Sequence, residues 1–580
     1  MAAARPIQDS SNPRISNTNQ RESDGNEDEE PEDQDDEPDT DPIEPVSGQV
    51  HMVPSVFGPN RAPTVYFEYP PDLNIKRQGI CQTQDLSARK LVYYTNWERN
   101  CVKNAFARAG FERCKSMNGS WNGYWGKHPN TTEYSRMNRF QKVNHFPGSW
   151  CIGRKDRLAR TILAFQRKAG GQGQFDFHPD VLHLPFDRRM LELKIKQDKK
   201  SLWIIKPQAS SCGRGIRVIS KDNLDTIPMN KKAIIQKYIE KPHLINGHKY
   251  DLRLYVLVTS CDPLKIYLFE KGLVRFCANK YSTKHIKSKY THLTNYSINK
   301  KSDKFVEPCD DKEVDEEALK WSLESYWKHM EGLVGGEQLA SIKENIKNVI
   351  VKTMIAAESD ITPGVARVNR TKGICYELFG FDIILDSAFK PWLLEVNVSP
   401  SLMGSSPLDR TIKGTLMADV FHLVGFQPYD DQAVRRDEKR EATNKLRGVS
   451  DGRHKAALSR RQDSWRRTMS CEAIELKELS KDDWDVIYDT VDENQRRGHF
   501  ERIYPTAARC KEFLPLFIAP RFNDVLLHRM VSDRNIWNQS PLGPPQTLAN
   551  SGRIGTRNHS HTNGSTSSSS SSSSSSVNSK

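Results

Sequence analysis

Two carboxylates and an amide lie close together in the pattern of two consecutive strand-like segments. The segment GICYELFGFDIILD alternates with a period of two, which places Asp382 on the face opposite its phenylalanines. In PWLLEVNVSP, Glu395 and Asn397 share one face. The other face of this second segment is predicted to carry Trp392, Leu394, Val396 and Val398. A four-residue loop between Asp386 and Pro391 would set the pairing register. In that register Asp382 stands directly across from Glu395 and diagonal to Asn397.

Oxygen donors of these types suit a hard cation. Mg²⁺ binds carboxylates and amides while keeping water and nucleotide phosphates as further ligands. The alternative interpretation is a solvated polar face of the sheet. The neighbouring sequence is so apolar that we expect a cleft floor instead, where unpaired carboxylates would be costly.

A loop suited to phosphate follows the apolar run LWII. Its sequence, KPQASSCGRGI at residues 206–216, has small residues and glycines that let backbone N–H groups approach phosphate oxygens. Lys206 adds a point charge suited to phosphate. The chain contains no GxxxxGK[ST] motif, so this is not a Walker A loop. By itself the pattern is weak, because an ordinary hairpin would also fit it.

Seven motifs together resemble the tubulin tyrosine ligase-like family. They occur in the family's order: KP at residue 206, SSxGRGI, QKYI, YDLR, TNYS at residues 294–297, FGFDIILD and LLEVNVSPSL. The resemblance covers roughly residues 65 to 425. It implies an α/β (α+β) protein with the ATP-grasp fold of amino-acid ligases. Within the family the chain is similar to the polyglutamylase branch, because DDWDVIYDTVDENQRRGHFERIYP lies in a basic extension after the core.

The resemblance implies a site for ATP and Mg²⁺. The implied ATP contacts are Lys206, Cys212, Gly213, Arg214, Gly215, Gln236, Lys237, Tyr238, Ile239, Lys249, Asp251, Thr294 and Asn295. Asp382, Glu395 and Asn397 match the metal ligands. Lys206, Arg253 and Glu395 are expected to act on the transferring phosphate. No motif position is missing, so the resemblance implies an active enzyme.

The implied reaction joins a free amino acid to a protein carboxylate. ATP phosphorylates the acceptor carboxylate, and the amine of free L-glutamate attacks the acyl phosphate to form an isopeptide bond. Arg275 matches the position that binds the donor's side-chain carboxylate, since a planar fork grips a carboxylate bidentately. Tyr296, Ser297 and Lys413 resemble further donor contacts, and Arg214 resembles the residue that reaches the acceptor glutamate. Each could instead be a surface cation or a polar group at a strand end.

The elements that must position these residues lie between disordered ends. Apolar runs interleaved with helical patterns predict a catalytic domain over residues 63–428. Residues 429–538 are predicted to form a basic helical extension, in which residues 435–467 hold twelve Lys or Arg and five Asp or Glu. Composition predicts disorder for an acidic leader over residues 1–60 and for a serine-rich tail over residues 539–580.

Charge is divided unevenly along the chain. The total is +13, but the first fifty residues hold fifteen acidic and three basic side chains, so the remainder carries +25. We expect the basic extension to dock on the acidic surface of microtubules, while a solvated helix or a nucleic-acid arm stays open. The leader is predicted to be a solvated tail. The alternative hypothesis is that it mimics an acceptor tail, or is itself glutamylated.

Composition also bounds the class of protein. Eleven cysteines without a CxxC pair indicate reduced thiols rather than a disulfide framework or a zinc site. No apolar run reaches the roughly 18 residues of a membrane span, and the N-terminus lacks the apolar centre of a signal peptide. We therefore expect a cytoplasmic protein without a membrane partner, and the family resemblance implies a cytoskeleton-associated monomer for which no nucleic-acid partner is expected. Its expected place is on microtubules, including those of cilia or basal bodies.

Two rival functions remain at this stage. The donor could be glycine or tyrosine, although glycine has no side-chain carboxylate for Arg275 to bind. The chain could also be a non-catalytic microtubule-binding or nucleic-acid-binding protein on an ATP-grasp scaffold. Three converging oxygen ligands favour the enzyme, because a scaffold has no need of them.

Overall fold

The computed structural model describes residues 42–73, 75, 81–82, 90–168, 172–207, 213–227, 230, 232–304, 318–369, 371, 373–446 and 470–546. Helices and strands interleave along these residues, which confirms the predicted mixed class. Four predicted features lie outside the described residues: Cys212, the leader up to residue 41, the basic residues 447–467 and the tail from residue 547.

Short strands and two long ones make up the sheets. Among the described residues the strands are β1 (His51–Val53), β2 (Thr64–Val65), β3 (Cys81–Gln82), β4 (Val92–Thr95), β5 (Glu112–Arg113), β6 (Gly123–Trp125), β7 (Lys142–Val143), β8 (Val181–Leu184), β9 (Trp203–Pro207), β10 (Arg217–Ile219), β11 (Ala233–Lys237), β12 (Leu244–Ile245), β13 (His248–Cys261), β14 (Leu264–Lys280), β15 (Lys320–Ser322), β16 (Glu377–Leu385), β17 (Pro391–Asn397) and β18 (Phe500–Tyr504). The α-helices of the same residues are α1 (Asn100–Arg108), α2 (Thr131–Ser135), α3 (Trp150–Gly153), α4 (Lys155–Lys168), α5 (Arg188–Gln197), α6 (Lys289–His292), α7 (Tyr296–Asn299), α8 (Leu323–Val334), α9 (Gly336–Val368), α10 (Pro407–Val424), α11 (Asp431–Leu446), α12 (Lys481–Gln495), α13 (Ala507–Phe513) and α14 (Phe522–Ser532). None of these helices combines the length and the apolar composition needed to cross a bilayer.

The central sheet has the order β15-β14-β13-β16-β17, with β12 added beside β13 and β18 beside β14. Its long strands read as nearly continuous apolar runs because both faces are covered. Helix α9 packs against the face of Leu254, and α10 packs against the face of Tyr255 and Leu257. On the α10 face, β13 changes from these apolar residues to Arg253 and Asp251, and there a cleft opens.

The β16–β17 hairpin confirms that Asp382 pairs with Glu395. The route to this register differs from the prediction, because the loop is one residue longer and Leu394 bulges out of the ladder. Leu393 rather than Leu394 therefore enters the core, and Leu394 lines the cavity beside Glu395. The prediction that Trp392 and Leu394 share a face with Val396 was wrong, since strict alternation cannot show a bulge.

Two smaller sheets flank the cleft. The antiparallel sheet β10-β9-β11-β8 packs on α5 through Leu191 and Ile195 and carries Lys206 on β9. The parallel sheet β5-β4-β6-β7 packs on α1 through Phe106. The loop after β4 reaches the cleft at Trp97.

The described structure begins before the predicted catalytic boundary. β1 pairs with β2 and β3, and Val56 and Phe57 are buried in the core. The predicted leader of residues 1–60 was therefore too long, because averaging over an acidic window concealed these few apolar residues. The predicted tail also begins too early, since the Gln546 backbone N–H donates to the Val56 carbonyl.

The extension is part of the same core rather than a separate appendage. β18 pairs with β14, and α12 contributes Trp484 and Ile487 to the main hydrophobic cluster. Asp492 accepts hydrogen bonds from the Ser55 hydroxyl and the Val56 N–H. The described extension thus connects Ser55 and Val56, near the start of the described residues, to the central sheet.

Candidate active site

A cavity of about 320 Å³ lies between the central sheet and the sheet β10-β9-β11-β8. Seventeen predicted site residues line it, and they come from eight separate places along the chain. They are Lys206, Gly213, Gln236, Lys237, Tyr238, Ile239, Lys249, Asp251, Arg253, Arg275, Thr294, Asn295, Tyr296, Ser297, Asp382, Glu395 and Asn397. Folding therefore brings most of the predicted residues to one place.

Asp382 lies on the cavity floor between two arginines. Arg253, its cross-strand neighbour, donates to it from Nε and Nη2 at 2.6 and 3.0 Å. Arg275 Nη2 lies 2.8 Å from Asp382 Oδ2. Burial by itself raises the pKa of Asp382, but the charges of Arg253 and Arg275 outweigh it and hold the pKa well below its usual range. Asp382 is therefore an anion with lone pairs left for a cation.

Arg275 also forms a bidentate salt bridge with Asp251. Its Nε and Nη2 donate to the two oxygens of Asp251 at 2.7 and 2.6 Å, and the Thr294 hydroxyl donates to Asp251 Oδ2. Burial lowers the pKa of Arg275, but Asp251 and Asp382 outweigh it and raise that pKa well above its usual range. Two arginines and two aspartates thus form a charge network that fixes the predicted donor-binding fork.

Glu395 and Asn397 stand beside this network on β17. Asn397 donates from Nδ2 to the Gly380 carbonyl, which leaves its amide oxygen for another donor or a metal. Glu395 Oε2 lies 3.1 Å from Lys155 Nζ. Two carboxylates and an amide oxygen in one cavity fit Mg²⁺, whose preferred ligands they are. Asp382, Glu395 and Asn397 are the residues that would hold it.

Lys155 is a cavity residue that sequence reasoning missed. It is the first residue of α4 and lines the cavity next to Glu395. The sequence indicated a loop leading into a helix here, and a cation at the start of that helix was the available signal. Its direction depends on how α4 docks against β17, which no local pattern shows.

Two buried lysines line the cavity, Lys206 from β9 and Lys249 from β13 of the central sheet. Lys206 Nζ donates to Gln236 Oε1 at 2.7 Å, and Lys249 Nζ donates to the Tyr238 hydroxyl and the His292 carbonyl. Burial lowers the pKa of Lys206 to about 8, with Lys155 and Lys249 adding to the effect and Glu395 opposing it. Burial and Lys249 lower the pKa of His292 to about 4, so that ring is neutral near pH 7.

We expect nucleotide binding to weaken as pH rises through about 8. Lys206 is a cation only below its pKa, and a polyphosphate binds the cation. Affinity for a fluorescent ATP analogue should fall up to about tenfold per pH unit above that value, as linkage requires for one proton. Lys206→Arg keeps its charge, so its binding should stay flat from pH 7 to 9. Parallel pH profiles for the two proteins would contradict this role of Lys206.

Gly213, in the described part of the predicted phosphate loop, lies against residues 294–297. Its φ of +71° lies in the left-handed region, and a Cβ there would stand 3.0 Å from Asn295 Oδ1. A side chain would therefore be strained and crowded at once. Gly213 and the TNYS motif can approach this closely because residue 213 is glycine.

A comparison with family models identifies the fold family. Residues 133–434 match the model described as the tubulin-tyrosine ligase family, which is more than half of the chain. The chain belongs to the tubulin-tyrosine ligase family. This membership confirms the predicted resemblance and the predicted ATP-grasp fold class.

Family members of known name are similar over much of the chain. The human protein "Tubulin monoglutamylase TTLL4" is 37% identical over 484 residues, which cover 81% of this chain and 39% of that protein. The Caenorhabditis elegans "Tubulin polyglutamylase ttll-4" is 38% identical over 66% of this chain and 62% of its own length. The mouse "Tubulin polyglutamylase TTLL5" is 35% identical over 70% and 31%. The chain spans about a third to three fifths of the length of these family members.

Three described residues that the family resemblance assigned to the site do not line the cavity. Arg214 and Gly215 are exposed, one and two residues beyond Gly213. Lys413 is 5% exposed and contacts Asp409 and the Met403 carbonyl, so it stands behind Met403, which does line the cavity. Their predicted roles with substrate and nucleotide stay predictions.

Among the described residues of this family member, one further cluster has the composition of a metal site. His128, His145 and Glu377 have ligand atoms within 4.8 Å of one another. Glu377 already accepts from His145 Nδ1, the Ser149 hydroxyl and the Phe146 N–H. The two rings stack at 3.9 Å with an interplanar angle of 18°, so their in-plane lone pairs run side by side instead of converging. This geometry fits a structural hydrogen-bond network.

Proposed function

We propose that this chain is an ATP-dependent protein–glutamate ligase. It adds glutamate through an isopeptide bond to the γ-carboxylate of glutamates in acidic tubulin tails, through an acyl phosphate. The observation that carries the proposal is the cavity floor, where Arg253, Asp382 and Glu395 form a row across adjacent strands. Relatives named as tubulin glutamylases support the substrate class.

The cavity residues have different roles according to their positions. Lys206 and Lys249, one from each sheet, hold the phosphates of ATP. Gln236, Tyr238 and Ile239 hold the adenine at the end of β11. Asp382, Glu395 and Asn397 would hold Mg²⁺, which would supply neutralisation of the phosphate charge. Arg253 faces the same floor and stabilises the charge of the transferring phosphoryl group.

Catalysis here is mainly positioning and charge neutralisation. A carboxylate is a poor electrophile, so its oxygen must first be phosphorylated to become a leaving group. The acceptor γ-carboxylate then takes the γ-phosphoryl group of ATP, and the amine of glutamate displaces phosphate. No nucleophilic side chain of the protein is needed. All the residues named belong to one chain, so we propose that a monomer suffices.

We propose that the donor binds beside Arg275, Tyr296 and Ser297. Because Arg275 also bridges Asp251 and Asp382, it serves the donor from a rigid position. The Tyr296 ring lies 3.8 Å from Lys320 Nζ, which in turn pairs with Asp409. A donor side-chain carboxylate beside Tyr296 would meet the fixed cation Arg275, which glycine and tyrosine, with no side-chain carboxylate, would not use.

One assay tests the function. The protein is incubated with Mg-ATP, tubulin and each labelled amino acid in turn, and incorporation is measured in tubulin. Glutamate should be incorporated, and incorporation of glycine or tyrosine instead would overturn the donor assignment. Lack of any incorporation would favour a binding protein on the same scaffold.

We further propose that α11 attaches the enzyme to microtubules and so to the cytoskeleton. Arg435, Arg436, Lys439 and Arg440 are exposed, and their spacing places them on one side of the helix. A positive helix face complements the acidic surface of a polymer whose tails are the substrate.

Charge reversal of these four residues to Glu should weaken microtubule association at least about tenfold at low salt. The difference should shrink as ionic strength rises, because salt screens exposed charges. Co-sedimentation across a salt series measures it. The matched control exchanges Arg and Lys at the same positions, keeps the charge and should bind normally. Unchanged co-sedimentation of the reversed protein would contradict the proposal.

A further inference from the structure

A smaller cavity adjoins the catalytic one. Trp97, Val398, Ser399 and Ser401 line both of them, so the two spaces meet along the loop that follows β17. The smaller cavity holds about 20 Å³, roughly the space of one or two water molecules, so it admits a carboxylate group but no nucleotide base. None of the residues proposed to hold ATP or Mg²⁺ is among its described lining residues, so filling that site leaves the smaller cavity open.

Arg99 gives this smaller cavity a positive charge. Among the described residues that line it, Arg99 is the one that carries a charge. Its Nη1 donates to the Glu98 carbonyl at 3.1 Å, and its guanidinium carbon lies 5.5 Å from the centre of the Trp97 ring in a cation–π contact. The Glu98 carboxylate pairs with Lys103 and Arg113 instead. Within the described part of the chain, the guanidinium of Arg99 therefore has no carboxylate partner.

The acceptor of the proposed reaction carries several carboxylates. The glutamate that is modified must place its γ-carboxylate beside Glu395 and Asn397, at the end of β17. Ser399 and Ser401 follow Asn397 by two and four residues, which is at most about 14 Å of extended chain. An extended acceptor advances about 3.3 Å per residue, so side chains one to three residues away from the modified glutamate fall within that span.

We propose that Arg99 pairs with a second acidic side chain of the acceptor, next to the glutamate that is modified. The inference rests on the proposed function and adds to it a preference for acceptors with neighbouring acidic residues. A guanidinium suits this role because its planar fork donates two hydrogen bonds to one carboxylate. Trp97 and Trp125 line the same space, and such walls strengthen a charged pair because they exclude water.

The test uses the full chain with Mg-ATP, isotopically labelled glutamate and two synthetic acceptor peptides. Each peptide carries one glutamate in a Gly-Ser background, flanked by Asp residues in one peptide and by Asn residues in the other. The KM for the Asp-flanked peptide should be at least about tenfold lower, as expected for a hydrogen-bonded charge pair. Arg99→Gln should reduce this ratio of KM values about tenfold and raise the KM for tubulin by a similar factor. The KM values for ATP and for glutamate should stay unchanged.

Two further variants serve as controls. Arg99→Lys keeps the charge but loses the fork, so its KM ratio should lie between those of the original protein and Arg99→Gln. Arg189→Gln removes an exposed charge from α5, outside both cavities, and should leave the ratio as it is.

The outcomes separate this inference from the proposed function. Incorporation of glutamate with the same KM ratio, or the same KM for tubulin, in Arg99→Gln would overturn the inference alone. A higher KM for ATP in that variant would assign Arg99 to the nucleotide and would also overturn it. Lack of incorporation into both peptides and tubulin by the original protein would overturn the proposed function.

Discussion

Glu395→Gln is expected to lower glutamate incorporation by at least about a hundredfold. A metal site contributes several kcal/mol of charge stabilisation to phosphoryl transfer, and each 1.4 kcal/mol is about tenfold in rate. Glutamine keeps the shape of Glu395 but removes one of the two ligand charges opposite Asp382. The measurement is the initial rate of labelled glutamate entering tubulin at saturating Mg-ATP.

The fold of this variant should be intact. The side chain of Glu395 is 21% exposed and its described ion pair is with Lys155, so the substitution leaves no deeply buried group unpaired. Thermal unfolding and microtubule co-sedimentation should match the original protein. Glu192→Gln, on α5 outside the cavity, removes the same charge from a surface pair with Arg188 and should leave the rate unchanged. An active Glu395→Gln protein would contradict the metal assignment.

Arg275→Ala is expected to lower the free energy of unfolding by about 3 kcal/mol and to abolish activity. Asp251 and Asp382 are both buried and both pair with Arg275, and breaking a buried pair typically costs about 3–5 kcal/mol. Chemical denaturation measures the loss. Arg440→Ala, which removes an exposed pair with Asp437, should change stability by less than about 1 kcal/mol.

Arg275→Lys separates the structural role from the donor role. Lysine restores the charge but not the bidentate geometry, so stability should recover further than activity. If Arg275 serves the donor, the KM for glutamate should rise by at least tenfold while the KM for ATP changes little. Equal changes in both constants would contradict a role in donor binding. An unchanged unfolding midpoint for Arg275→Ala would contradict the charge network itself.

Alternation along adjacent strands was enough to place Asp382 opposite Glu395. These residues lie on consecutive strands of one hairpin, so period-two patterning and a short loop nearly determine their register. The real loop is one residue longer than predicted. The bulge at Leu394 offsets this extra residue, so Asp382 still pairs with Glu395. Local periodicity therefore predicted the pair of Asp382 and Glu395, but it did not predict the bulge that places Leu393 in the core.

Periodicity along the sequence did not predict how segments that are distant in the chain pack against one another. Lys155 meets Glu395 only because α4 packs beside β17, and the residues before β1 meet α1 at Asn104, Ala107 and Arg108. Side-chain types indicate the chemistry of a site, and a spacing of 2 or 3.6 residues indicates which side chains share a face of a strand or helix. Which faces then meet depends on packing of the whole core, where residues hundreds of positions apart compete for the same contacts. The sequence by itself thus determined the motif residues and their chemistry. The tertiary structure decided which ion pairs orient them.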